Sequence, residues 1–265
     1  MAALLFGASY LLNYLQAKPA ASTGAPPTVN QIARVDPKHP FDNTPAAVWQ
    51  EGAAGIQPPP AAAVGRYSAE TVAAAMDRAK QLIVAARLDQ HVLETYDAQP
   101  VLTLLAPHQA EKIRAKLTPG NEAHTWWVTT KLAPGYPLLP VSPRVAGTMT
   151  AALNDKGELA IHTNYLIAYA FAAPTGGDYT AMDIVAVARH EVEFDWVEDS
   201  SYDQDSQGMW FGDIQGFAYS VNCAVYDQGF LAPNYSNARP AYAPDPHHPE
   251  YYFDPSVPIS QQSNC

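Results

Sequence analysis

The tetrapeptide Asn154-Asp155-Lys156-Gly157 joins two long runs of alternating residues, and no other feature constrains the fold of this chain as much. Val145, Gly147, Met149, Ala151 and Leu153 lead into it, and Leu159, Ile161, Thr163, Tyr165, Ile167, Tyr169 and Phe171 lead out. A period of two is the mark of a strand with one packed face, and the tetrapeptide carries the turn chemistry of a hairpin. At about 3.3 Å per residue the second run would reach roughly 40 to 45 Å, so it is expected to curve or bulge within one domain.

Other segments extend this pattern on both sides. Trp126, Val128, Thr130 and Leu132 also alternate and read as a strand. Beyond a turn at Pro174 to Asp178, Ile184, Ala186, Ala188, Val192, Phe194 and Trp196 predict another, and Met209 to Val225 a last strand region. Helices come first. Ser68 can cap a helix with Glu70 in its first turn, and Val72, Met76, Ala79, Ile83 and Ala86 recur at three and four residues. Pro107, Ala110, Ile113 and Leu117 suggest a second helix, stopped at Thr118-Pro119-Gly120. Helices followed by antiparallel strands predict an α+β fold, with the helices covering one face of a curved sheet.

Proline sets the expected boundaries. Of 24 prolines, 9 precede Arg66 and 7 fall from Pro233 onward, so the foldable unit is read as 66–234. That length suffices for one core. Residues 18–65 are expected to be a semi-extended spacer, because proline blocks helices and removes ladder donors. Trp49 within it either docks on the domain or meets a partner. The Pro/Tyr-rich segment 235–265 favours polyproline II and reads either as a strap on the domain or as a free recognition tail. Residues 1–17 hold the apolar run Ala2 to Leu15, shorter than the roughly 20 residues that span a bilayer. A membrane anchor, or part of one, is the expectation, with a helix folded back on the domain as the alternative; the domain is expected to be extracytoplasmic.

A net charge of -11 with no basic patch argues against a nucleic-acid partner. The two cysteines, Cys223 and Cys265, form no metal-ligand spacing, and both thiol and disulfide states stay open. In an oxidising compartment a bridge between them would pin the tail to the domain.

The runs GTMTAALNDKGELAIHTNYLIAYAF and IVAVARHEVEFDWVED, placed after the helices, give a layout that resembles the NTF2-like fold. With the apolar start and the proline spacer, the chain resembles membrane-tethered NTF2-like proteins of the bacterial envelope, including Mce-associated ones. The resemblance covers about Ser68 to Val225. It implies a cone-shaped domain that in some members is an enzyme with an acid or histidine inside and in others binds or scaffolds.

Candidate chemistry is sparse, and no cofactor is expected. Alternation puts His190 on the face of Ile184, Ala188, Val192 and Phe194, where an imidazole could act as a general base beside a carboxylate. Arg189, Glu191, Glu193 and Asp195 point the other way and read as a solvated face. Tyr165, Tyr169, Trp196 and Trp210 are the aromatic candidates for binding. Asp203 and Asp205, in a loop ending at Gly208, faintly echo a calcium loop, but its twelfth position is Ile214, which cannot supply the bidentate carboxylate. His247 and His248, near Asp245 and Glu250, lack the rigid surroundings of a metal site. No nucleophile-elbow, zinc or nucleotide motif is present. The leading expectation is a non-catalytic envelope protein that binds or scaffolds, with an envelope protein as partner; the alternative is an enzyme using His190.

Overall fold

The computed structural model describes residues 28–30, 32–237 and 247–259. The expected anchor at 1–17, Cys265 and Asp245 lie outside the described residues. The architecture is α+β, with N-terminal helices followed by a five-stranded antiparallel sheet that the first helix contacts.

Helix α1, Ala69–Arg87, starts where Ser68 Oγ accepts the Thr71 N–H, and it buries Val72, Ala75, Met76, Ala79, Leu82, Ile83 and Ala86. This is the expected stripe, widened by Ala75 and Leu82. Asp89 caps the short α2, Gln90–Thr95, which ends at Tyr96 in the left-handed region. Next come α3, Gln99–Leu102, and α4, Pro107–Arg114, with Ala110 and Ile113 buried. Leu117, expected in that last helix, lies beyond its end and packs against the core from there.

The strands are β1 (Gln50–Glu51), β2 (Arg144–Leu153), β3 (Leu159–Ala170), β4 (Val185–Val197) and β5 (Gly208–Tyr219), in that spatial order. The hairpin closes with Leu153 opposite Leu159, and Gly157 takes φ 77 in the turn. The register of β3 is unbroken with both neighbours; the irregularity falls between β4 and β5, at Val192/Phe194. The expected last strand region stops at Tyr219. Asn222 there caps the short helix α5, Cys223–Tyr226, by accepting the Val225 N–H.

Residues Trp126 to Leu132 do not form the expected strand. Thr130 N–H donates to Ala86 O at 3.0 Å and Leu132 N–H to Leu93 O at 2.9 Å, so the segment serves carbonyls at the ends of α1 and α2. Its alternation is one of residue type only: the segment is a loop pressed on the core, in which every residue from Val128 to Ala133 is buried. The free edge of β2 is taken instead by Gln50–Glu51.

Both faces of the sheet are covered. Leu159, Ile161, Tyr165, Ile167 and Tyr169 face the helices with Ala186, Ala188, Val192 and Phe194. Leu166, Ala168, Ala170, Val185 and Val187 pack on the opposite side with Phe41, Ala46, Phe217, Tyr219, Tyr252 and Phe253. Much of the stretch expected as a spacer, and the described part of the tail, therefore form a third layer. Trp49 docks there, its ring 5.7 Å from that of Phe253.

Candidate functional site

His190 lies on the helix-facing side of β4, as its alternation predicts. Although the residue is only half-buried overall, both ring nitrogens are shielded from solvent and have no hydrogen-bond partner. Its ring stacks on Trp126, centroids 6.2 Å apart. The close fit depends on Gly216 of β5, where a Cβ would come within 2.7 Å of Arg189 O and 3.0 Å of the Trp126 ring. The cavity beside the imidazole measures about 20 Å³ and is lined by Leu82, Arg87, Tyr165 and Phe211 among others. That is room for one water-sized molecule.

The charge next to His190 is positive. Burial first, and then Arg87, hold the imidazole well below its ordinary range, so it is neutral at pH 7. Arg87, the last residue of α1, donates to the carbonyls of Trp126 and Trp127, and burial lowers its pKa to about 10. Lys131 is a second interior cation, pushed down to about 8 by burial and by Arg87, with Nζ 3.2 Å from Thr125 O. Among the described residues neither forms an ion pair with a carboxylate. The negative end of the α1 dipole offsets part of this charge. Arg87 and Lys131 gave no sign in the sequence, because a lone cation in a helix or loop normally points to water.

Tyr165 and Tyr169 are buried in the core between the helices and the sheet. The Tyr169 hydroxyl donates to Arg87 O at 2.8 Å, and burial raises its pKa to about 12. The Tyr165 hydroxyl is buried without a partner beside the small cavity, and burial raises its pKa too.

A larger concavity opens at the far end of the sheet. It measures about 570 Å³ and lies between the β2–β3 turn, the ends of β4 and β5, and the loop from Glu198 to Gln207. Asp155, Glu158, Glu193, Asp195 and Asp213 line it, with Lys156, His108, Tyr202 and Trp210. The solvated face expected from Arg189 to Asp195 is thus divided. Arg189 is buried, whereas Glu193 and Asp195 stand in the cleft wall. The cause is the outer layer, which reaches Arg189 and stops short of the strand end.

The cleft's carboxylates are crowded. Glu193 Oε2 lies 3.1 Å from His162 Nδ1, and Asp195 Oδ1 accepts from Asn154 Nδ2 at 2.9 Å. Burial and then Asp195, Asp213 and Asp155 raise the Glu193 pKa, while burial lowers that of His162. Burial thus disfavours the imidazolium form of His162, and with it the ion pair between the two side chains.

Of the remaining candidates, Trp210 reaches this cleft. Its Nε1 donates to Ser206 O at 2.8 Å and the Lys112 ammonium lies 5.9 Å from its ring. Trp196 Nε1 donates to Glu198 at 3.0 Å, next to the cleft. Asp203 and Asp205 are exposed around a 3-10 turn at Gln204–Ser206. Glu250 accepts the Val29 N–H at 2.7 Å, and His247 stacks on Tyr251. Among the described residues no group of three or more His, Cys, Asp or Glu could hold a metal ion.

Comparison with known proteins finds no matching family model, no matching curated protein and no matching solved structure.

Proposed function

We propose that the chain is a non-catalytic binding protein of the cell envelope, tethered to a membrane by residues 1–17, with an NTF2-like extracytoplasmic domain whose acidic cleft takes a basic segment of a protein partner. The observation that carries this reading is a contrast in space. The acidic cleft offers about 570 Å³, within the range of ligand sites, against about 20 Å³ beside His190. Burial and then the neighbouring carboxylates disfavour the negative charge of Glu193, and an entering ammonium or guanidinium would offset that cost, so the cleft's own repulsion favours a cationic occupant. Trp210 and Tyr202 add ring surface for a cation or an aliphatic stem. No helix among the described residues is long and apolar enough to cross a membrane, so tethering rests on residues 1–17.

The second reading, an enzyme using His190 with a carboxylate, has less support. Arg87 is the charged group that acts on that imidazole, and the adjoining space is too small for a substrate.

Titrating the full chain with hexalysine at low ionic strength, read by tryptophan fluorescence, tests the binding reading. Two surface carboxylates worth up to about 1 kcal/mol each imply that Glu193→Gln with Asp213→Asn weakens binding by roughly 5- to 30-fold. Added salt should weaken the wild type in the same direction. Hexalysine that does not bind, or that binds both proteins alike, overturns the cleft assignment.

A further inference from the structure

The C-terminal segment is bound to the outer face of the sheet as a ligand is bound to a receptor. Its Tyr252 and Phe253 are each 3 % exposed. The Tyr252 ring stacks on Tyr219 at 4.1 Å and meets Phe217 edge-on at 5.9 Å; Phe253 lies 5.7 Å from Trp49 and 6.2 Å from Tyr219. Two residues on, the backbone is read directly. Asn164 Nδ2 donates to Pro255 O at 2.9 Å, and Arg189 donates to Pro255 O at 3.0 Å and to Val257 O.

The reading groups belong to the sheet. Arg189, 2 % exposed, is oriented by Asn164 Oδ1 at 3.0 Å from its Nε and by Glu191. Asn164 and Arg189 stand on β3 and β4, two central strands. The tail joins no strand ladder within the described residues; it is held by the buried rings of Tyr252 and Phe253, by the Pro255 and Val257 carbonyls, and by the Glu250 carboxylate, which accepts the Val29 N–H. Sockets for side chains together with buried donors to backbone carbonyls are how peptide-recognition surfaces work. Emptying the groove would take from Arg189 two acceptors, Pro255 O and Val257 O, while leaving Asn164 and Glu191 to hold the guanidinium in place for a segment that supplies the same carbonyls.

We propose that this face is a peptide-recognition groove for an extended Tyr-Phe-x-Pro segment, occupied in cis by Tyr252-Phe253-Asp254-Pro255, which opens as a unit and exchanges with the same segment supplied in trans. The groove is independent of the acidic cleft and does not depend on what the cleft binds.

The test uses the full chain under reducing conditions, so that no bridge from Cys223 retains the tail, and a fluorescent peptide copying residues 247–259. In the variant carrying Tyr252→Ala and Phe253→Ala the tail no longer competes, and the peptide should bind it at least about tenfold more tightly than the wild type, whose tail acts at a high effective concentration. A variant with native near-ultraviolet dichroism that binds no more tightly than the wild type overturns the proposal. Hydrogen exchange on the wild type decides the matter even if that variant does not fold. The amides of Tyr251, Asp254 and Val257 should exchange through an opening that leaves β3 and β4 protected. Exchange of those amides only with global unfolding overturns separability.

Discussion

A neutral imidazole without hydrogen-bond partners makes His190 a source of acid sensitivity. Its pKa is lowered in the folded chain, whereas the unfolded chain titrates near the ordinary value of about 6.5. Below that value the unfolded state binds a proton that the folded state refuses, so stability falls as pH drops, by at most about 1.4 kcal/mol per pH unit from this one group. Denaturant unfolding of His190→Leu and wild type between neutral and acid pH should show a flatter profile for the variant. Parallel profiles would mean that the imidazole is not neutral in the fold. The groups around it do not relieve the cost: Arg87 faces it from α1, Tyr165 stands opposite on β3, and Trp126 covers the ring. Its inward direction was legible from alternation alone. Its charge environment was not, because Arg87 is more than a hundred residues away in sequence.

At the scale of elements, β5 shows how a sheet edge is closed without another strand. Gln109 on α4 donates from Nε2 to Phe211 O at 3.0 Å and accepts the Phe211 N–H on Oε1 at 2.8 Å, while Ala106 N–H donates to Met209 O at 2.8 Å. One side-chain amide thereby reproduces the pairing of a strand residue and caps an edge that would otherwise recruit another chain. Gln109→Ala should cost about 1–3 kcal/mol, because two half-buried backbone groups of Phe211 lose their partner. Urea unfolding measures this, and faster exchange of the Phe211 amide should accompany it. Helix α4 itself was legible from Pro107 and its apolar spacing. The role of Gln109 was not, since nothing local marks a glutamine as a surrogate strand. The false strand at Trp126 to Leu132 has a related origin: Val128 to Leu132 are all buried in a loop against the helices, Thr129, Thr130 and Lys131 included, and an alternation of residue types does not tell such a loop from a strand.

For the molecule as a whole, the decisive feature is the third layer. Phe41 is 4 % exposed and holds its place beneath the Arg144 guanidinium, 5.7 Å from its ring. Phe41→Ala should therefore destabilise the domain by about 3–5 kcal/mol, as truncation of a core phenylalanine does. Val48→Ala, at a side chain 62 % exposed, should stay within about 0.5 kcal/mol. Equal, negligible effects in urea unfolding would return residues 28–65 to the role of a spacer. A signal for this layer was in the chain: Leu166, Ala168, Ala170, Val185 and Val187 are apolar on the side of the strands that a two-layer fold leaves to water. The sequence by itself determined the order of helices and strands, the hairpin and the inward face of each strand, because these follow from local period, capping and turn chemistry. Only the tertiary structure decided which segments cover the outer face, which charges are buried and where the open space lies, because those depend on contacts between residues far apart in the chain that no local pattern records.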